Sequence, residues 1–120
     1  MNPKLLQKTL SVIISILLVF GPAPKAFSLP QGQTVVRGSA TFTEQDNTLN
    51  INQATPRAII NYNSFNIDAK ETVNFIQPSS SSIALNRVVG LDPSAILGSL
   101  NANGQVFLIN PNGILFGQGA

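Results

Sequence analysis

Apolar residues in this chain recur at every second position in short runs, and that spacing belongs to strands. Leu49 and Ile51 alternate with Asn50 and Asn52, and Phe65 and Ile67 with Asn66 and Asp68. Val73 and Phe75 flank Asn74, and Ile83 and Leu85 alternate with Ala84 and Asn86. A period of two in β-branched and aromatic residues marks half-buried strands, because successive side chains point to opposite faces. The stretch from Thr34 to Thr43 is rich in β-branched residues and alternates after Gly38. Each run is a few residues long and is broken by Asn, Gln, Ser, Pro or Gly, the residues of turns.

One segment departs from this pattern. In Leu91-Asp92-Pro93-Ser94-Ala95-Ile96-Leu97-Gly98, Asp92 suits a helix cap, Pro93 the first helical position and Gly98 a left-handed stop. The segment predicts a short helix or helical turn. Asn101 to Gly104 then predicts a turn, followed by a strand from Gln105 to Ile109. Asn110-Pro111-Asn112-Gly113 is the clearest turn in the chain. Pro111 presets φ at the second position, Asn110 bonds back to the backbone, and Gly113 frees the fourth. The turn leads into Ile114-Leu115-Phe116. Many short strands with frequent turns leave a sandwich, a barrel or a β-helix open. Asparagines recur at strand ends, and in a coiled parallel sheet such side chains can stack into hydrogen-bonded ladders.

The first 28 residues stand apart. Lys4 and Lys8 flank an apolar run from Leu10 to Phe20, Pro22 and Pro24 end it, and Ala26-Phe27-Ser28 is a small-residue site. This is the order of a secretory signal peptide. The run falls short of the roughly 20 apolar residues that a membrane span needs. The expected cut lies between Ser28 and Leu29, with a cut after Ala26 as the alternative. Export would use the Sec machinery and signal peptidase.

The whole chain has seven basic and five acidic residues, a net charge of +2. Three of the bases, Lys4, Lys8 and Lys25, precede the expected cut. Beyond it Arg37, Arg57, Lys70 and Arg87 face Glu44, Asp46, Asp68, Glu71 and Asp92, which leaves a net charge of −1. The high isoelectric point is therefore a targeting feature, and no basic cluster points to nucleic acid. The chain has no Cys and no His. Disulfides, Cys nucleophiles, Ser-His-Asp triads and zinc sites built on Cys or His are excluded. No catalytic residue, metal site, cofactor or small-molecule substrate is expected, and the chain is read as a non-enzyme.

An ordered series of segments carries a family resemblance. Leu29-Pro30-Gln31-Gly32 is followed by Val35 to Ala40, Arg57 to Ile67, Val73-Asn74-Phe75, Ala84 to Val88 and Ile96 to Leu100, and Asn103 to Ile114 closes the series. In that order and spacing the chain resembles the two-partner secretion domain of filamentous haemagglutinin and the high-molecular-weight adhesins, also called the haemagglutination activity domain. The resemblance implies an all-β fold, the N-terminal part of a right-handed parallel β-helix. It implies secretion from a Gram-negative bacterium, through the periplasm to the cell surface. The implied partner is an outer-membrane β-barrel transporter with periplasmic polypeptide-transport-associated domains. Residues 29–120 would be the front part of this domain, and the activity of the exoprotein, whether adhesin, toxin or haemolysin, would be encoded beyond Ala120. Many members carry an additional Asn-Pro-Asn-Leu motif. The counterpart here is Gly90-Leu91-Asp92-Pro93-Ser94, a departure that points to the high-molecular-weight-adhesin branch. The family domain also continues past the Asn-Pro-Asn-Gly-Ile motif, so the chain is expected to be a fragment or a truncated reading frame.

The residues singled out by this comparison are Asn110, Pro111, Asn112, Gly113 and Ile114, as a transporter-recognition or folding motif. On physical grounds alone, a turn that sets strand register is favoured over direct recognition. Arg87 reads as exposed or snorkelling, with a corner bond to backbone carbonyls as the alternative. Asn61, Asn66 and Asn86 read as ladder or turn residues. Asp68 and Glu71 read as a solvated turn, and Gly117-Gln118-Gly119 is too short for a phosphate loop. A rival function is a module that itself binds glycans or surfaces. With no Trp and a single Tyr, Tyr62, the chain offers few aromatic platforms for sugars. A β-helical polysaccharide lyase would need clustered acids, and the five acids are scattered.

Overall fold

A computed structural model describes residues 29–120, so the signal peptide expected over 1–28 lies outside the described residues, as does Ser28 of the expected cut. Ten strands and no helix occur among the described residues. They are β1 (Thr34–Arg37), β2 (Ala40–Gln45), β3 (Thr48–Gln53), β4 (Arg57–Tyr62), β5 (Thr72–Ile76), β6 (Ile83–Val88), β7 (Ser94–Ile96), β8 (Ser99–Ala102), β9 (Gln105–Ile109) and β10 (Ile114–Phe116).

The chain winds past three sheets in a repeating order. One sheet has the order β2-β3-β5-β8, the second β1-β4-β6-β9, and the third pairs β7 with β10. From β3 onward every pairing is parallel and in register. Thr48 lies beside Thr72 and Thr72 beside Ser99 in the first sheet. Arg57 lies beside Ile83 and Ile83 beside Gln105 in the second. Ser94 lies beside Ile114 in the third. Three successive turns of chain are thus stacked: β3-β4, β5-β6-β7 and β8-β9-β10. The first turn reaches the third sheet through a single bridge, Ile67 to Ile96. At the other end β1 and β2 run antiparallel to β4 and β3 and close the stack. Between β2 and β3, Asp46 takes φ 55°, a left-handed conformation that Asp tolerates better than most residues.

Alternation places the core. In β3 Leu49, Ile51 and Gln53 point inward, in β4 Ala58, Ile60 and Tyr62, and in β5 Val73 and Phe75. Phe65, Ile67, Val88 and Ile96 join this cluster, and Tyr62 meets Phe65 edge to face at 5.1 Å. Fully burying one such side chain contributes roughly 1.5–3 kcal/mol.

Four sequence expectations are corrected. The turn expected over Asn101 to Gly104 starts later, because Asn101 and Ala102 end strand β8. Leu91 to Gly98 forms no helix. Ser94–Ile96 is a strand, because its backbone has better partners in neighbouring turns of chain. The Ser94 amide donates to Gly113 O at 3.0 Å and the Ile67 amide to Ala95 O at 3.0 Å, so tertiary pairing overrides the local cap signal. Phe65 and Ile67 are buried, but they sit on a corner and not in a continuous strand. β6 is a strand as expected, yet its inward face is Ala84, Asn86 and Val88, while Ile83 and Leu85 are half-buried on the other side. A one-residue change of parity exchanges the two faces of a strand.

Candidate functional site

The segment Asn110–Ile114 is a tight turn fastened to the preceding turn of chain. The Gly113 amide donates to Asn110 O at 3.0 Å, which closes the turn. The Asn112 amide donates to Asn110 Oδ1 at 2.9 Å, the local side-chain bond that Asn supplies. Gly113 takes φ 107°, open to glycine and strained for other residues. The rest of the Asn110 side chain faces inward. Its Nδ2 donates to Ser94 Oγ at 2.9 Å and to Asp92 O at 3.0 Å. Asn112 reaches the same loop, with Nδ2 donating to Gly90 O at 2.9 Å. Asn110 is buried, whereas Pro111, Asn112, Gly113 and Ile114 are exposed. The five residues therefore stay together, but one is an internal anchor and four present a surface.

Beyond the turn, β10 exposes Leu115 and Phe116, and Phe107 and Ile109 of β9 are also exposed. β8, β9 and β10 are each the last strand of their sheet.

The other singled-out residues fall into different roles. Arg87 is half-buried, and its Nε donates to Asn61 Oδ1 at 3.0 Å on the neighbouring strand. It bonds a side-chain carbonyl and not the backbone carbonyls of the corner alternative. Asn66 Oδ1 accepts the Ala95 amide at 2.8 Å. Asn86 is fully buried. Its Oδ1 accepts the Tyr62 hydroxyl at 2.7 Å, and its Nδ2 donates to Phe107 O at 3.2 Å. Burial pushes the Tyr62 phenol well above its ordinary range. Tyr62 is thereby removed from any sugar-binding surface. The asparagine ladder exists, but it runs through Asn50, Asn74 and Asn101, with both rungs at 3.0 Å. A second polar stack occupies an interior corner. There Gln77 Nε2 donates to Gln53 Oε1 at 3.1 Å, and Gln77 Oε1 accepts the Gly104 amide at 2.9 Å.

Glu71 is the largest departure from the sequence reading. Asp68 is exposed, as in a solvated turn, but Glu71 is only 3% exposed. Its Oε1 accepts the amides of Asp68 at 2.8 Å and Leu29 at 3.1 Å. The carboxylate turns inward because two backbone amides converge on it, a strong environment for an anion. The same corner is crowded. A Cβ on Gly98 would come within 2.2 Å of Asp68 O and 2.4 Å of Glu71 O. Among the described residues no group of acids is placed to hold a metal ion.

The missed signal was an internal repeat. Thr48-Leu49-Asn50-Ile51-Asn52-Gln53 recurs as Thr72-Val73-Asn74-Phe75-Ile76-Gln77, and both the Asn ladder and the Gln stack join equivalent positions of it.

Comparison with known proteins bears on this arrangement. Residues 26–120 match the family model of the TPS secretion domain. The chain is 42% identical over 111 residues to a heme/hemopexin-binding protein of Haemophilus influenzae strain Rd, covering 92% of this chain and 12% of that protein. A second Haemophilus influenzae heme/hemopexin-binding protein is 36% identical over 113 residues, covering 90% of this chain and 12% of the relative. The crystal structure of the HMW1 secretion domain from Haemophilus influenzae superposes with a TM-score of 0.71 at 46% identity, over 73% of this chain and 23% of that one. The chain thus spans about an eighth of the length of the curated relatives it matches.

Proposed function

The chain belongs to the TPS secretion domain family, and from that premise we propose that residues 29–120 direct a larger exoprotein across the outer membrane of a Gram-negative bacterium. The carrying observation is that the residues matching that family fold as successive turns of chain stacked in parallel register, with the Asn110–Ile114 turn fastened to the turn of chain before it.

In this proposal the chain leaves the cytoplasm through Sec, loses residues 1–28 to signal peptidase, and crosses the periplasm unfolded. A dedicated outer-membrane β-barrel transporter receives it. Short alternating segments add as strands to an exposed sheet edge of the transporter's periplasmic domains, using backbone hydrogen bonds. At the surface the stacked turns become the first coils of a right-handed parallel β-helix. An unpaired strand edge templates the next strand, and repeat arrays gain stability from each added neighbour. The Asn110–Ile114 turn sets the register of the third coil and presents Pro111, Asn112 and Gly113 outward. The role is one of addressing and nucleation, without chemistry. Whatever the larger protein binds resides in sequence beyond this module.

The test is to co-express the exoprotein with its transporter, carrying Asn110→Ala together with Pro111→Ala. Secretion into the medium falls while removal of the signal peptide is unchanged. Normal amounts of the double variant in the medium would refute the assignment of this turn.

A further inference from the structure

We infer that Leu29 becomes the amino terminus of the mature chain and that its α-ammonium seats on the buried Glu71 carboxylate, so that processing itself completes the first corner of the fold. The inference rests on the export reading above.

Three observations converge on Leu29. Its side chain is 3% exposed and belongs to the hydrophobic cluster, so Leu29 is packed inside. Its nitrogen lies 3.1 Å from Glu71 Oε1, on a carboxylate that is itself 3% exposed. Its φ is 61°, in the left-handed region that residues with a Cβ rarely adopt. That torsion is defined by the carbonyl carbon of residue 28. Once the Ser28–Leu29 peptide bond is cut, the steric clash behind the penalty no longer exists.

The chemistry balances as an ordinary hydrolysis. The bond between the Ser28 carbonyl carbon and the Leu29 nitrogen breaks. Water supplies a hydroxyl to Ser28, which leaves as a carboxylate. The Leu29 nitrogen takes up both protons and becomes an ammonium at neutral pH. An amide that offered one proton and a dipole is replaced by a full positive charge with three donors. Against a buried carboxylate the charged donor is a stronger partner than the amide it replaces.

The seat lies where successive turns of chain meet. Glu71 Oε1 also holds the Asp68 amide at 2.8 Å. The Glu71 carbonyl accepts the Ser99 amide at 3.0 Å, and the Ile67 carbonyl accepts the Leu97 amide at 2.7 Å. An ammonium docked on Glu71 therefore braces the corner on which the second turn of chain stacks. A precursor still carrying residues 1–28 meets the same position with a strained peptide and no charge. When the chain folds at the surface, the processed form therefore closes this corner more readily than the precursor.

The test exports the full chain into a bacterial periplasm and measures the intact mass of the product. The amines are then labelled with an amine-reactive ester, in buffer and in urea. Lys70, the other primary amine after the cut, is exposed and serves as internal control. The expected product begins at Leu29, with its α-amine labelled at least about tenfold more slowly in buffer than in urea, as burial in a stable element requires, while Lys70 reacts alike in both. Glu71→Gln is expected to release the α-amine without changing Lys70. If that variant fails to fold, the comparison of buffer with urea in the unaltered chain still decides. An unprocessed product beginning at Met1 would sink the export reading itself. A product beginning at Phe27, or a Leu29 amine as reactive in buffer as in urea, would overturn only the seat.

Discussion

The side chain of Asn110 donates to Ser94 Oγ across 2.9 Å, and both residues are buried. One bond thus links the turn of the third coil to the strand of the second, beside the pairing of Ser94 with Ile114. Replacing Asn110 by Ala removes this donor and the acceptor of the Asn112 amide. The expected loss is about 1–3 kcal/mol, with Ser94→Ala costing less and the two changes coupled. Urea unfolding of the exported chain and a double-mutant cycle measure it.

Pro111 separates folding from recognition. It is exposed, and no hydrogen bond of the turn depends on its side chain. Pro111→Ala is expected to change stability by less than about 1 kcal/mol, through the freedom of the unfolded chain alone. If secretion drops sharply in this variant while urea unfolding is unchanged, the transporter reads the turn directly. Unchanged secretion assigns the turn to register.

Tyr62 and Asn86 form a second buried pair, at 2.7 Å. Tyr62→Phe leaves Asn86 Oδ1 without that donor and is expected to cost about 1–3 kcal/mol. The pair also makes stability sensitive to alkali. Burial raises the Tyr62 phenol above its ordinary value of 10.0, so above that pH the unfolded chain loses the phenolic proton and the folded chain keeps it. Stability from this group is complete below pH 10 and declines as pH rises beyond it. Tyr62→Phe should flatten that region of the pH profile.

Gly98 packs against the carbonyls of Asp68 and Glu71, where a Cβ would lie within 2.4 Å of both. Gly98→Ala must therefore push the stacked corners apart. A loss of about 1–3 kcal/mol is expected, the usual scale for overpacking, and thermal unfolding measures it. Thermal stability at the unaltered level would show that the corners are not in close contact.

The outer ladder is expected to contribute modestly. Asn74 stands between Asn50 and Asn101 and makes both rungs, whereas Asn101 makes one. Asn74→Ala should cost about 1–2 kcal/mol, more than Asn101→Ala, since each partly exposed bond contributes about 0.5–1.5 kcal/mol. Equal effects of the two substitutions in urea unfolding would argue against a ladder.

The strands were largely legible because alternation acts locally. β3 and β5 lie where period-two runs place them, β9 is the strand expected after the preceding turn, and the Asn110–Gly113 turn follows from residues with fixed backbone preferences. Glu71 was not legible. Nothing in Asp68-Ala69-Lys70-Glu71 distinguishes a carboxylate that points outward from one that collects two amides 3 and 42 residues away. Leu85 misled for a related reason. As the larger apolar residue it reads as core, but the inward face of β6 carries Asn86, whose partner Tyr62 lies 24 residues earlier.

The sequence by itself determined the all-β class, the positions of most strands and turns, the absence of Cys- and His-based chemistry, and the family. These rest on residue type and short-range spacing, which a chain carries in any context. Only the tertiary structure decided which face of β6 turns inward, that Ser94–Ile96 is a strand, that the Asn ladder runs through Asn50, Asn74 and Asn101, and that Glu71 is buried beneath Leu29. Each rests on hydrogen bonds that form only once the chain has folded back on itself. The energies of most of those bonds depend on partners far along the chain, brought alongside only when the turns of chain stack.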